Sequence, residues 1–334
     1  MCETCQRGAG PGAGIPRRDV LRATGPAGLV MAGAAGTAGN LPLLTGTAEA
    51  ADRGRRHQSK VTLRWFGNSA WEIRSGKHRV LIDPYLSRFE VGMASGNFNP
   101  QTPLQVKKKV IDSHIGAADL ILCSHGHWDH MNDVPYIAER TGAPVMGTES
   151  HMNLLAAMGL PAKQQGHVSG GEHIDFDGFT VEVLPSLHSV SGAGRYAFPG
   201  TLAGFPPGTP VKEPTVIADL VEGGTLGFQI TVTGGPKIFV MPNANFIERE
   251  ITGLRPDVAI LAVGPGPVHR YFERYMNALG KPRLVLPTHW DSLETPVDEP
   301  AVDLGELKPF IRNIRTASPC TRVAVPEHLE PIEL

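Results

Sequence analysis

In the run Ser124-His125-Gly126-His127-Trp128-Asp129-His130, three imidazoles and one carboxylate follow directly on the apolar stretch 118–123. Imidazole nitrogen and carboxylate oxygen are borderline and hard donors, the combination that suits zinc and other first-row divalent ions. A loop, and not a helix, lets ligands at i, i+2, i+4 and i+5 converge on one ion, so the run is placed in a loop at the carboxyl end of a strand. Gly126 is assigned the backbone freedom that such a turn requires. The competing reading, a solvated polar loop, leaves this density of histidine without a cause.

The surrounding pattern describes the scaffold. Strand-like runs at 61–66, 70–73 and 79–82 form an antiparallel meander, and 118–123 adds a further apolar run. A helix is predicted over 134–140 and another over 149–158, with a short strand at 144–146 between them. Asp177-Gly178 turns a hairpin between 172–176 and 179–184, and Gly234-Gly235 a second between 227–233 and 237–241. The later chain alternates: helix 247–253, strand 258–263, helix 268–279, strand 283–286, helix 307–314, strand 322–325. Strands alternating with helices call for sheets covered by helices, and two meander-then-helix halves give an α/β domain of two face-to-face sheets over 51–334. A hydrophobic content of 41% supplies its core. The segments 87–105 and 191–222 fit no regular structure; their aromatics, Phe89, Phe98, Tyr196, Phe198 and Phe205, favour flaps over a pocket against exposed filler.

The first fifty residues differ in kind. Arg17-Arg18 precede an uncharged Ala/Gly-rich stretch, and Ala48-Glu49-Ala50 offers a small-x-small cleavage pattern, so 1–50 is read as a twin-arginine-type signal peptide. Gly, Pro and Asn40 interrupt the stretch, whereas a membrane span needs about 20 mainly apolar residues, so no stable anchor is expected and the protein is placed outside the cytoplasm. A net charge of -2 leaves no basic surplus for a phosphate backbone, which removes nucleic acid as a general partner and leaves a small-molecule substrate. The oligomeric state is not specified. Cys123 and Cys320 each sit beside an apolar run and are read as buried thiols.

The His125-x-His127-x-Asp129-His130 loop after a buried strand resembles the signature of the metallo-β-lactamase superfamily, and further pieces follow in that family's order: Val80-Leu81-Ile82-Asp83-Pro84 upstream, Pro185-Ser186-Leu187-His188 and Pro287-Thr288-His289-Trp290 downstream. The resemblance spans residues 60 to 327, and the stretch from Leu63 to Ala70 is most similar to the branch containing ascorbate-6-phosphate lactonase and the acyl-ethanolamine phospholipases. It implies an αββα four-layer sandwich. It also implies that His125, His127 and His188 hold a first metal and Asp129, His130 and His289 a second, with zinc as the expected ion and iron or manganese as alternatives. Asp83 is expected to orient a ligand imidazole by accepting its second N–H, the alternative being a plain Asp-Pro turn.

One position departs from the family pattern. Where a bridging Asp is expected, the chain reads Met241-Pro242-Asn243-Ala244-Asn245, so Asn243, or in another register Asn245, presents a neutral amide as a metal ligand. Two cations sharing a neutral ligand keep more uncompensated like charge, which favours one tight ion with the second weak or absent. The implied activity is hydrolysis of an ester, lactone or phosphoester by a metal-activated water, with Asp129 and His289 as catalytic residues and Asp129 orienting that water. Few basic residues near the loop favour a neutral acyl substrate. The alternatives are a mononuclear iron oxygenase on the same fold and a binding protein that has lost the bridging carboxylate. The chain has no Gly-x-Ser-x-Gly elbow, phosphate-cradling glycine loop or dinucleotide fingerprint.

Overall fold

Alternation sets the first element: in β1 (Val61–Trp65), Val61, Leu63 and Trp65 are fully buried and the residues between them only half so. The computed structural model describes residues 60–192, 194–206 and 209–334, and the expected signal peptide at 1–50 lies outside them. After β1 come β2 (Trp71–Ser75), β3 (His78–Ile82), α1 (Lys108–His114), β4 (Leu120–Leu122), α2 (Trp128–Met131), α3 (Val134–Thr141), β5 (Val145–Gly147), α4 (Glu149–Ala157) and β6 (Gln165–His167). The later part holds β7 (His173–Phe176), β8 (Phe179–Ser186), β9 (Thr225–Val232), β10 (Lys237–Met241), α5 (Glu248–Ile251), β11 (Val258–Ala262), α6 (Tyr271–Ala278), β12 (Leu284–Thr288), α7 (Leu307–Ala317), β13 (Arg322–Val323) and β14 (Pro331–Glu333).

Two seven-stranded sheets result, ordered β14-β1-β2-β3-β4-β5-β6 and β13-β12-β11-β10-β9-β8-β7. In the first, β1 to β3 are the expected antiparallel meander, but β3 to β6 run parallel, with Val80 opposite Leu120 and Ile121 opposite Val145. Parallel strands need a crossover, and the helices between them supply it. In the second sheet β7 to β10 are antiparallel and β10 to β13 parallel.

The pleat sorts side chains between two cores. Val80, Ile82, Leu120 and Leu122 point toward Val181, Val183, Phe228 and Ile230 of the second sheet. Leu81, Ile121 and Val145 point the other way, onto Ile111, Val134, Ile137 and Leu155 of α1, α3 and α4. Tyr275, Phe310 and Ile314 bring α6 and α7 to the second sheet. The expected αββα sandwich is therefore the observed one.

Several details differ from the sequence reading. The helix predicted from 268 begins at Tyr271, because Arg270 before it adopts a left-handed φ of 45°. The helix predicted over 247–253 is one turn long. The short α1 was unforeseen because only Ile111 is buried in it and no apolar face repeats. Cys123 is a buried free thiol, but Cys320 is exposed in the turn after α7. Among the described residues no helix is long and apolar enough to cross a membrane.

Candidate metal centre

Every predicted site residue sits past the carboxyl end of a strand, where open α/β sheets collect functional groups. Asp83 follows β3, the His125 loop follows β4, His188 follows β8, Asn243 follows β10 and His289 follows β12. Asp83 and His289 take left-handed φ values of 44° and 56°, so each chain reverses at the strand end and turns its side chain inward. The dense run is only partly a loop. His125 and His127 lie on it, but Asp129 and His130 belong to the single turn of α2. Gly126 is also needed for a different reason than supposed. Its φ is ordinary, but a Cβ there would lie 2.1 Å from the Val221 carbonyl, and its N–H donates to Glu222 O at 2.8 Å.

The structure gathers the six His and Asp candidates into two trios. The ligand atoms of His125, His127 and His188 lie within 4.8 Å of one another, as do those of Asp129, His130 and His289. In the first trio His125 Nε2 faces His127 Nδ1 at 3.0 Å. A tetrahedral zinc with bonds of about 2.0–2.1 Å holds its nitrogens roughly 3.3 Å apart, so the pair fits such an ion. His188 Nδ1 donates to Ser189 O at 2.9 Å, which leaves its Nε2 lone pair as the ligand.

In the second trio Asp129 Oδ2 lies 3.3 Å from His289 Nε2 and 3.4 Å from His130 Nε2. His130 Nε2 is buried without a hydrogen-bond partner, as an atom awaiting a cation would be. Asp83 stands where the sequence put an orienting carboxylate: its Oδ2 is 2.7 Å from His130 Nδ1, and it also accepts from Ser124 N at 2.7 Å and Ser124 Oγ at 2.5 Å. Three imidazoles in one trio and an Asp-His-His set in the other are donor sets that divalent first-row ions accept.

Electrostatics separate the trios. Burial, reinforced by the surrounding histidines, holds His125 well below the usual imidazole range. Burial and His188 push His127 down to about 3, and burial lowers His188 as well. The first trio is thus neutral, the form that ligates metal. Burial also opposes charge on His130, but Asp129 and Asp83 outweigh it and raise His130 to about 9. Burial alone would raise Asp129, yet His130 and His289 hold its carboxyl well below the usual carboxylate range.

Asn243 and Asn245 divide their roles. Asn245 braces backbone, donating to His188 O at 3.2 Å and accepting from Phe246 N at 2.9 Å. Asn243 faces the trio, with Nδ2 3.1 Å from His125 Nδ1. That contact is to the ring atom His125 does not turn toward His127, so here Asn243 sets the orientation of His125. Flipped, the same amide presents Oδ1 to an Nδ1–H, the tautomer that an Nε2-bound metal requires.

Sequence reasoning missed the support behind the second trio. Asn68, fully buried at a φ of 49°, donates Nδ2 to Asp129 O at 2.6 Å and Asp129 Oδ2 at 3.2 Å, while its carbonyl accepts from His289 N at 2.9 Å. Its own N–H goes to Asp291 Oδ1 at 2.8 Å, and Asp291 is paired with buried Arg88 at 2.5 Å and His328 at 2.9 Å. The available signal was the Gly67-Asn68 dipeptide, since Asn tolerates left-handed turns. The two long segments do meet: Leu104 N donates to Thr215 O and Ile217 N to Thr102 O. Of their aromatics, Phe98, Tyr196 and Phe198 gather near the histidines, Phe89 is a core residue and Phe205 lies elsewhere, beside Glu149 and Asn153.

A model of the beta-lactamase superfamily domain matches residues 62–289. The chain is 28% identical over 278 residues to a metal-dependent hydrolase of Myxococcus xanthus, covering 81% of this chain and 82% of that protein. It is 26% identical over 279 residues to a metal-dependent hydrolase of Thermoplasma volcanium, covering 82% and 99%. The metallo-β-lactamase fold protein YhfI of Bacillus subtilis superposes with a TM-score of 0.50 at 14% identity, over 83% of this chain and 100% of that one. CmlA, a diiron β-hydroxylase of Streptomyces venezuelae, does so with a TM-score of 0.51 at 14% identity, over 83% of this chain and 54% of that one. The last two are likenesses of fold alone. With the superfamily model matched over most of its length, and the His-x-His-x-Asp-His run at the strand ends, the chain belongs to the metallo-β-lactamase superfamily.

Proposed function

We propose that the protein is a metal-dependent hydrolase that cleaves an ester, lactone or phosphoester in a small molecule. The observation that carries this reading is the first trio: three buried, neutral imidazoles with two ring nitrogens face to face at 3.0 Å, beside a carboxylate. The names of the Myxococcus and Thermoplasma relatives support it. A divalent ion held by these residues would lower the pKa of a bound water toward about 7 and polarise the oxygen of the scissile group. The chain supplies the rest. His125, His127 and His188 bind, each ring fixed by a partner on its other nitrogen or by burial. Asp129, acceptor-only and held by Asn68, is the group that orients a water and takes its proton. His289 has a side chain 34% exposed and reaches both Asp129 and solvent, so it can pass that proton outward.

The test is metal analysis of the purified protein together with hydrolysis of p-nitrophenyl acetate, a γ-lactone and bis-p-nitrophenyl phosphate, before and after chelation. Cleavage of at least one, lost on chelation and restored by zinc or manganese, is the expected result. Cleavage that survives complete metal removal would sink the reading, and so would a tightly bound iron with oxygen-dependent turnover and no hydrolysis.

A further inference from the structure

The two long segments bring aromatic rings together beside the first trio. The Phe98 ring, from the segment joining β3 to α1, lies 6.0 Å from Trp128 and 6.1 Å from Phe198, the latter on the segment joining β8 to β9. Trp128 and Phe198 are 5.8 Å apart, and Phe198 meets His127 edge-on at 5.8 Å. Trp128 is buried behind the other two, whereas Phe98 is 42% exposed. Around the same histidines Tyr196, 5.8 Å from His188, is 36% exposed, and Leu187 is 38% exposed. Isolated exposed apolar side chains are ordinary; a group of them beside a metal-type centre marks a binding surface. The wall is also built firmly, since the two segments hold each other through the bridge between Pro103 and Val216.

Charge narrows the ligand. Among the described residues, the hydrogen bonds and ion pairs of the two trios run to Asp83, Asn68, Ser124, Asn243 and backbone, with no lysine or arginine. Phosphate recognition ordinarily uses such a side chain, so the partners of the two trios favour an uncharged substrate over a phosphate dianion.

We propose that Phe98 and Phe198, backed by Trp128, form the subsite that selects the substrate, and that this substrate is an uncharged ester or lactone with an extended apolar or aryl acyl group lying along these rings. The proposal rests on the hydrolase reading above and adds the substrate class. Each methylene moved from water onto the wall contributes about 0.8 kcal/mol when fully buried, a factor of about four per carbon.

The experiment uses the metal-loaded full chain and two matched series: p-nitrophenyl esters from acetate to octanoate, and methyl ketones of equal chain length, which cannot be cleaved and whose binding is read by tryptophan fluorescence. In both, kcat/KM or affinity should rise by up to about fourfold per methylene until the wall is covered. Phe98→Ala with Phe198→Ala should flatten both slopes to less than twofold per methylene with metal content unchanged. Phe98→Leu with Phe198→Leu, which keeps apolar volume, should retain most of the slope and serves if the alanine pair fails to fold. A ketone gradient with no cleavage of the esters, of a γ-lactone or of bis-p-nitrophenyl phosphate would uphold the subsite and overturn the hydrolase reading. Ester cleavage without a chain-length gradient, or faster cleavage of p-nitrophenyl phosphate than of any ester, would overturn the subsite and leave the hydrolase reading standing.

Discussion

At the scale of single residues, the site is two layers deep, and the inner layer was legible together with one residue of the outer, Asp83. The His-x-His-x-Asp-His run announces itself because three imidazoles so close together have no structural use, and Asp83 could be placed because it ends a strand before Pro84. Its carboxylate accepts from His130 and from Ser124 at once, which fixes the ring that presents Nε2 to the second trio. Asp83→Asn removes the charge while keeping the volume, so the second ion should bind about 10–100-fold more weakly with the first unaffected. Chelator competition with metal counting measures this; equal weakening of both ions, or of neither, would contradict it. Asn68, Asp291, Arg88 and His328 carried no such signal. Asn68 and Arg88 each reach Asp291 across more than two hundred residues, and His328 reaches it across 37, and no local spacing encodes a partner at such distances.

At the scale of elements, the strands and the later alternation were legible because burial follows period two or short apolar runs, while α1 and β6 were not, having little buried surface to pattern. Nor could the sequence say what Gly126 faces, since the Val221 carbonyl arrives from the second long segment. That segment is anchored by His151 of α4. Its Nδ1 accepts from Thr148 N at 3.1 Å, and its Nε2–H reaches Gly224 O at 2.9 Å, so one ring closes the capping box and ties α4 to the residues against the metal loop. Burial lowers His151 to about 4, below the value near 6.5 of an unfolded chain. The unfolded state therefore binds the proton first, and stability is complete above pH about 6.5 and falls as pH drops toward about 4. The buried histidines of the first trio act in the same direction. In metal-free protein, His151→Gln should make the fall in Tm between pH 6.5 and 4 shallower, while costing about 1–3 kcal/mol at neutral pH through unpaired backbone groups. An unchanged slope would show that His151 does not contribute.

At the scale of the whole described domain, β14 closes the first sheet by pairing with β1, Ile332 opposite Leu63, while Leu334 N bonds to Val61 O. Deleting residues 330–334 removes that strand and bares the edge of β1. The loss of its few ladder bonds should cost about 2–4 kcal/mol, read as a lower Tm. The bared edge should also produce concentration-dependent oligomers in size-exclusion chromatography. A truncated protein that melts like the intact one and stays the same size would refute the closure. His328, a few residues earlier, meets Asp291, which holds the N–H of Asn68, which in turn holds Asp129 and His289. The order of synthesis thus bears on the chemistry: a nascent chain still on the ribosome with residues 328–333 unmade has every candidate ligand already translated, yet lacks both the strand that seals β1 and the imidazole that steadies Asp291, so an ion captured then would occupy a centre whose bracing is still to come.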